Sequence, residues 1–201
     1  MTTLKRKKLI FPKAKGKWNE FCREKSVKGG KEFTNFFYRY AFAHGFQGMQ
    51  VDGYSARTLK SYNAIFKVQL AYSAYDSMII SGKHIKHKVR LRKSTYDYSL
   101  QNKRLANSLR LNKVLLDVLI RKTKPPLSNR IKKFSNMKND DVLSIASAIR
   151  HLVSHGVITV TSVDLLLVKN WKQIEKLSLV IMDFVDGLFA DYVRQVIEHE
   201  A

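Results

Sequence analysis

The chain has 201 residues, 45% of them hydrophobic, with 37 Lys and Arg against 16 Asp and Glu for a formal net charge of +21. That is enough chain for one domain with a real core, and the charge points to polyanionic partners, nucleic acid before an anionic membrane surface. Cys22 is the single cysteine, which excludes an internal disulfide and a thiolate metal cluster and fits the cytoplasm. The apolar run at residues 9–11 is too short for a secretory signal. Asp183 and Asp186 interrupt the stretch 177–189, so no membrane-spanning helix and no membrane partner are expected.

Residues 1–31 hold 11 Lys and Arg and two acids, and residues 1–30 read as a basic, partly irregular arm that could lie along phosphates. Phe33, Phe36, Phe37 and Tyr40 follow at i, i+3, i+4 and i+7, the spacing of an amphipathic helix, and read as core rather than as base-stacking residues. Ser55 is placed to cap a helix reaching about Ile80, where Ser81 and Gly82 would stop it. Its apolar face would include Leu59, Ile65, Phe66, Leu70, Tyr72 and Tyr75.

A second basic block spans residues 82–133, with 16 Lys and Arg against Asp97 and Asp117. Within it a single helix is expected from about Asp97 to Arg121, ended by Pro125 and Pro126. Charges this dense and one-sided repel unless an anion relieves them. Lys83, Lys86, Lys88, Arg90, Arg92, Lys93, Arg104 and Arg110 are therefore candidate contacts to an RNA backbone.

Asn139 or Asp140 would cap the next helix, and Gly156 would follow its C-terminus. Residues 157–160 are β-prone but too few between helices to be more than a connector. Ser162 would cap a closing helix from about Val163 to His199, with a kink expected near Gly187, whose wide apolar face suits both a core and a partner subunit. The expected fold is all-α, a helical bundle of four or five helices with basic extensions.

No phosphate-binding glycine loop, G-x-S-x-G elbow or paired-metal carboxylate cluster is present. His151 and His155, four apart on one helix, are at most half a metal site, so no metal and no cofactor are expected. What remains is Arg150-x4-His155. RNA brings its own nucleophile, the 2′-hydroxyl. Histidine suits the proton transfers, and arginine can grip two phosphate oxygens. Five residues at about 100° each put the two side chains about 140° apart on a straight helix. They converge only if the helix loosens before Gly156, or if a second copy packs against the first. Chance alone yields roughly a third of an occurrence of this spacing at this composition, and Arg39/His44 and Arg194/His199 also show it. The setting of a capped apolar helix with a glycine stop favours Arg150 and His155, with Arg39 and His44 the competing pair.

The order of A-Y-S-A-Y-D at 71–76, I-R-H-L-V-S-H-G at 149–156, then T-V-T-S and a last helix resembles the HEPN superfamily (higher eukaryotes and prokaryotes nucleotide-binding domains). The resemblance covers residues 31–81 and 138–201, within a domain of residues 31–201 that carries a basic insertion at about 82–137. It implies a metal-independent ribonuclease whose R-x4-6-H motif lies near the end of the penultimate core helix and faces its copy in a homodimer. Arg150 and His155 match the motif. The position after the arginine is often asparagine in the family; His151 stands there and could substitute as a donor. Ser154 and Asp76 would support the site, Asp76 matching an acid that some members place nearby. Members include toxins, abortive-infection proteins and phage-defence effectors, and others only bind RNA or a partner. The expectations are thus an endoribonuclease acting on RNA, a non-catalytic RNA- or DNA-binding protein, or a module that binds an acidic partner such as an antitoxin.

Overall fold

The computed structural model describes residues 9–25, 33–84, 102–156 and 168–200. Among these residues the chain is helical, without strands, in eight helices: α1 (Lys15–Glu24), α2 (Thr34–Gly45), α3 (Ala56–His84), α4 (Lys103–Arg110), α5 (Lys113–Lys122), α6 (Leu127–Ser135), α7 (Val142–Ser154) and α8 (Val168–Glu200). The all-α expectation holds, but the helices outnumber the four or five expected. The long helices α3 and α8 pack along each other, α2 and α7 both lie on α3, and α4 to α6 form a group against α7 and α8. No described helix is long and apolar enough to cross a membrane.

The predicted aromatic helix is α2, and its four spaced aromatics are all buried. They do not close the core alone. Phe33 meets Phe189 and Tyr192 of α8 edge-on, each at 5.2 Å between ring centres, an arrangement that adds to area burial. Trp18 completes the cluster, 5.3 Å from Phe33. It belongs to α1, inside the stretch expected to be a basic, partly irregular arm. Residues 15–24 are instead a helix with Trp18 and Phe21 buried. Asp186 of α8 anchors its approach, accepting from the Lys13 backbone N–H at 2.9 Å and pairing with Lys13 Nζ at 3.4 Å.

Ser55 accepts the Thr58 N–H at 3.2 Å, as a cap should. The helix then runs through Ser81 and Gly82 to His84 instead of stopping. Both residues are buried, and a Cβ at Gly82 would lie 3.8 Å from the Tyr192 ring. Burial of this turn against α8 outweighs the local preference to end. Ala64, Val68, Ala71, Ala74 and Met78 form the fully buried face, whereas Phe66, Leu70 and Tyr72 are half-buried. Lys67 pairs with Glu175 to join α3 to α8.

The helix expected over residues 97–121 is divided. Asn102 Oδ1 accepts the Leu105 N–H at 2.9 Å and Asn112 Oδ1 accepts the Leu115 N–H at 3.1 Å, so each asparagine starts a helix. After Pro126 comes α6, which the charge of the segment concealed; its buried residues Ser128, Ile131 and Phe134 sit among Arg130, Lys132 and Lys133. Leu105, Leu109, Leu115, Leu116, Leu119, Ile131 and Phe134 belong to the same core as α3 and α8. Residues 102–135 are therefore part of the bundle core.

Asp141, not Asn139 or Asp140, caps α7, its Oδ1 accepting the Leu143 N–H at 3.1 Å. At the other end Gly156 has φ +64° and donates to Val153 O at 3.0 Å, the left-handed stop expected of it. The β-prone residues 157–160 and the proposed Ser162 cap lie outside the described residues. From Val168 onward α8 is one helix through Gly187.

Candidate functional site, a polar seam on the third helix

Gln69, Ser73 and Asp76 occupy i, i+4 and i+7 of α3, within about 60° of one another around the axis. Each meets a side chain from a flanking helix. Arg39 Nη1 of α2 donates to Ser73 Oγ at 3.2 Å. Arg150 Nη1 of α7 pairs with Asp76 Oδ2 at 3.0 Å. Gln69 Nε2 faces Ser154 Oγ of α7 at 3.5 Å, and its Oε1 is buried without a hydrogen-bond partner. A polar seam thus runs along one face of α3, with α3 as its floor and α2 and α7 as its walls.

Burial pushes the Asp76 carboxyl up from its ordinary value, and the charges of Arg150 and Arg39 pull it down only in part. The Tyr72 hydroxyl is also pushed up, by burial first, with a hydrogen bond to Ser147 and the Arg150 charge opposing. The Arg150 guanidinium carbon lies 5.6 Å from the Tyr72 ring centre, within cation–π range. Its side chain keeps 43% of its surface exposed, against 28% for Asp76. Asp76 therefore orients Arg150 while leaving N–H donors available to a ligand. Beside the pair is a cavity of about 330 Å³ lined by Tyr72, Tyr75, Asp76, Arg130, Asp141 and Ser144, among others. A larger one of about 530 Å³ between α1 and α8 has mostly apolar walls.

His155 takes the C-cap position of α7. Its ring lies edge-on to that of His151, 4.5 Å away, and both residues are exposed. Because α7 stays helical through Ser154, it does not loosen to bring Arg150 and His155 together; Arg150 turns to α3 and the two histidines pair one turn apart. Among the described residues no group of His, Cys, Asp and Glu could hold a metal ion.

The other expected residues divide. Arg39 belongs to the seam, whereas His44 packs against Tyr40 at 5.3 Å. Arg194 pairs with Asp191 on its own helix, and the His199 side chain lies outside the described set. So do the Lys83 side chain and Lys86, Lys88, Arg90, Arg92 and Lys93 as candidate RNA contacts. Arg104 is exposed on α4. Arg110 is not a surface cation: its side chain is 11% exposed, pairs with Asp140 at 2.7 Å, and donates to Phe134 O, Asn139 O and Asn107 Oδ1. It holds α4 to α6 and the turn before α7, which removes it from the RNA-facing set. Gln69, Ser73 and Tyr72 were missed, although the spacing of Q-L-A-Y-S-A-Y-D carries the polar stripe.

No protein-family model, curated protein or solved structure matches the chain.

Proposed function

We propose that the chain is a metal-independent endoribonuclease of a toxin or phage-defence system, acting in the cytoplasm as a homodimer. The observation that carries this reading is the half-exposed Arg150 guanidinium, steered by Asp76, on the helix that ends in the exposed His151–His155 pair. A net charge of +21 supplies the attraction for RNA. In the reaction the 2′-oxygen attacks phosphorus and the bond from phosphorus to the 5′-oxygen breaks. The 2′-hydroxyl loses a proton and the leaving 5′-oxygen gains one, giving a 2′,3′-cyclic phosphate and a 5′-hydroxyl. Arg150 neutralises the non-bridging oxygens, and His155 carries one of the proton transfers. His151 and Ser154 support it. Two α7 ends facing each other would complete the site, and the adjoining cavity has room and aromatic walls for a base. Purified protein incubated with transfer RNA and total RNA in EDTA tests the reading; it expects cleavage, and intact RNA counts against it.

One observation favours a second reading, RNA binding without turnover. Within one chain Arg150 is engaged by a carboxylate and the histidines pair with each other rather than with it. This reading expects salt-sensitive RNA retention with no product. An acidic antitoxin on the same face is the partner either reading would accept.

A further inference from the structure

The two arginine–histidine spacings that compete in the sequence meet on one face of one helix. Arg39 reaches Ser73 from α2, and Arg150 reaches Asp76 from α7. Ser73 and Asp76 are three residues apart, hence neighbours on the α3 surface. Both guanidinium charges act on the Asp76 carboxylate. Two cations against one carboxylate leave one positive charge in excess at the seam. Arg39 is exposed and Arg150 nearly half so, so each retains N–H donors toward solvent. Surplus positive charge held in place by short polar contacts is relieved by an anion, and a phosphodiester offers two non-bridging oxygens, one for each guanidinium.

We propose that Arg39 and Arg150 form a clamp on a single phosphodiester of bound RNA, with Ser73 and Asp76 as the struts that hold the two arginines toward it. The proposal rests on the RNA-acting reading and adds to it a substrate contact on α2. His44, packed on Tyr40, takes no part. One arginine–histidine spacing thus lends its arginine to the site of the other.

The test uses the full chain and a ten-nucleotide RNA carrying 2′-O-methyl groups, which cannot be cut, with binding read by fluorescence anisotropy. Arg39→Gln and Arg150→Gln should each weaken binding about 10-fold, the scale of one charge-assisted contact. Because both hold the same phosphate, the double variant should be no more than about 3-fold weaker than either single one. Arg39→Lys, which keeps the charge without the fork, should fall between wild type and Arg39→Gln. Lys132→Gln on the exposed side of α6 should bind within about 2-fold of wild type. Thermal melts of each variant confirm that it is folded. Arg39→Gln binding like the wild type overturns the clamp, and so does an additive loss of about 100-fold in the double variant, which would mean two separate phosphates. All-ribose RNA in the same series separates the two ideas. Coupled loss of binding with no cleavage by the wild type keeps the clamp and removes the ribonuclease. Cleavage by the wild type with Arg39→Gln unaffected does the reverse. A wild type that does not bind removes both.

Discussion

Arg150 of α7 and Asp76 of α3 are 3.0 Å apart, nitrogen to oxygen, yet the Asp76 carboxyl lies above its ordinary value of 3.8 because burial outweighs both neighbouring arginines. A folded-state value above the unfolded one means the native protein holds that proton more tightly than the unfolded chain. The contribution to stability is therefore fully present below the unfolded value and is lost as pH rises through the folded one. Relative to Asp76→Asn, the wild type should gain stability as pH is lowered from about 7 toward about 4. Melts of both proteins across that range measure the difference, in which other acid effects cancel. A wild type that instead loses stability relative to Asp76→Asn toward acid pH would mean that the ion pair, not burial, governs Asp76.

The first helix should matter to stability. Trp18 is fully buried against Phe33 and Tyr192, so Trp18→Ala should cost about 3–5 kcal/mol in urea unfolding. Deleting residues 1–24 should lower the midpoint similarly. An unchanged midpoint after deletion would contradict a structural role for α1.

Apolar spacing made α2, α7 and the body of α8 legible, because each shows one clear buried stripe. It failed where charge masked the stripe, at α1 and α6, where a few aromatic and aliphatic residues sit among many lysines and arginines. It also misjudged Ser81–Gly82 and residues 111–112. A small pair reads as a stop until a neighbouring helix buries it, and an asparagine reads as a surface residue until its side chain caps a helix. The site was half legible. The R-x4-H spacing and Asp76 are visible in the sequence, whereas the pairing of Arg150 with Asp76 depends on how α7 lies on α3. That Arg39 shares this seam depends on how α2 lies on α3, which no local pattern encodes.

Arg110 and Arg104, both expected to hold RNA, should now behave oppositely. Arg110→Ala removes a nearly buried ion pair and several donated bonds and should cost about 2–4 kcal/mol. Arg104→Ala should leave stability within about 0.5 kcal/mol. If Arg104 contacts a phosphate, the same change should reduce the slope of log affinity against log salt by about one. Equal stability of the two variants would contradict the structural role of Arg110.

Gly82 offers a check on the packing of α3 against α8. A Cβ there would make only ordinary contact with the Tyr192 ring, so Gly82→Ala should raise stability by about 0.5–1 kcal/mol through helix propensity. A loss would show the two helices to be closer than described.

RNA cleavage in EDTA tests the central claim most directly. Wild type, Arg150→Ala and His155→Ala are incubated with total RNA, and the product ends are identified. The account predicts 2′,3′-cyclic phosphate ends from the wild type, and a loss of at least about 100-fold in rate in either variant, the scale of one proton-transfer or charge-stabilising group, with each variant folded. His155→Ala should keep most of its RNA affinity, whereas Arg150→Ala should also bind more weakly through the lost phosphate grip. Full activity in both variants, or wild-type binding without any cut, would contradict it.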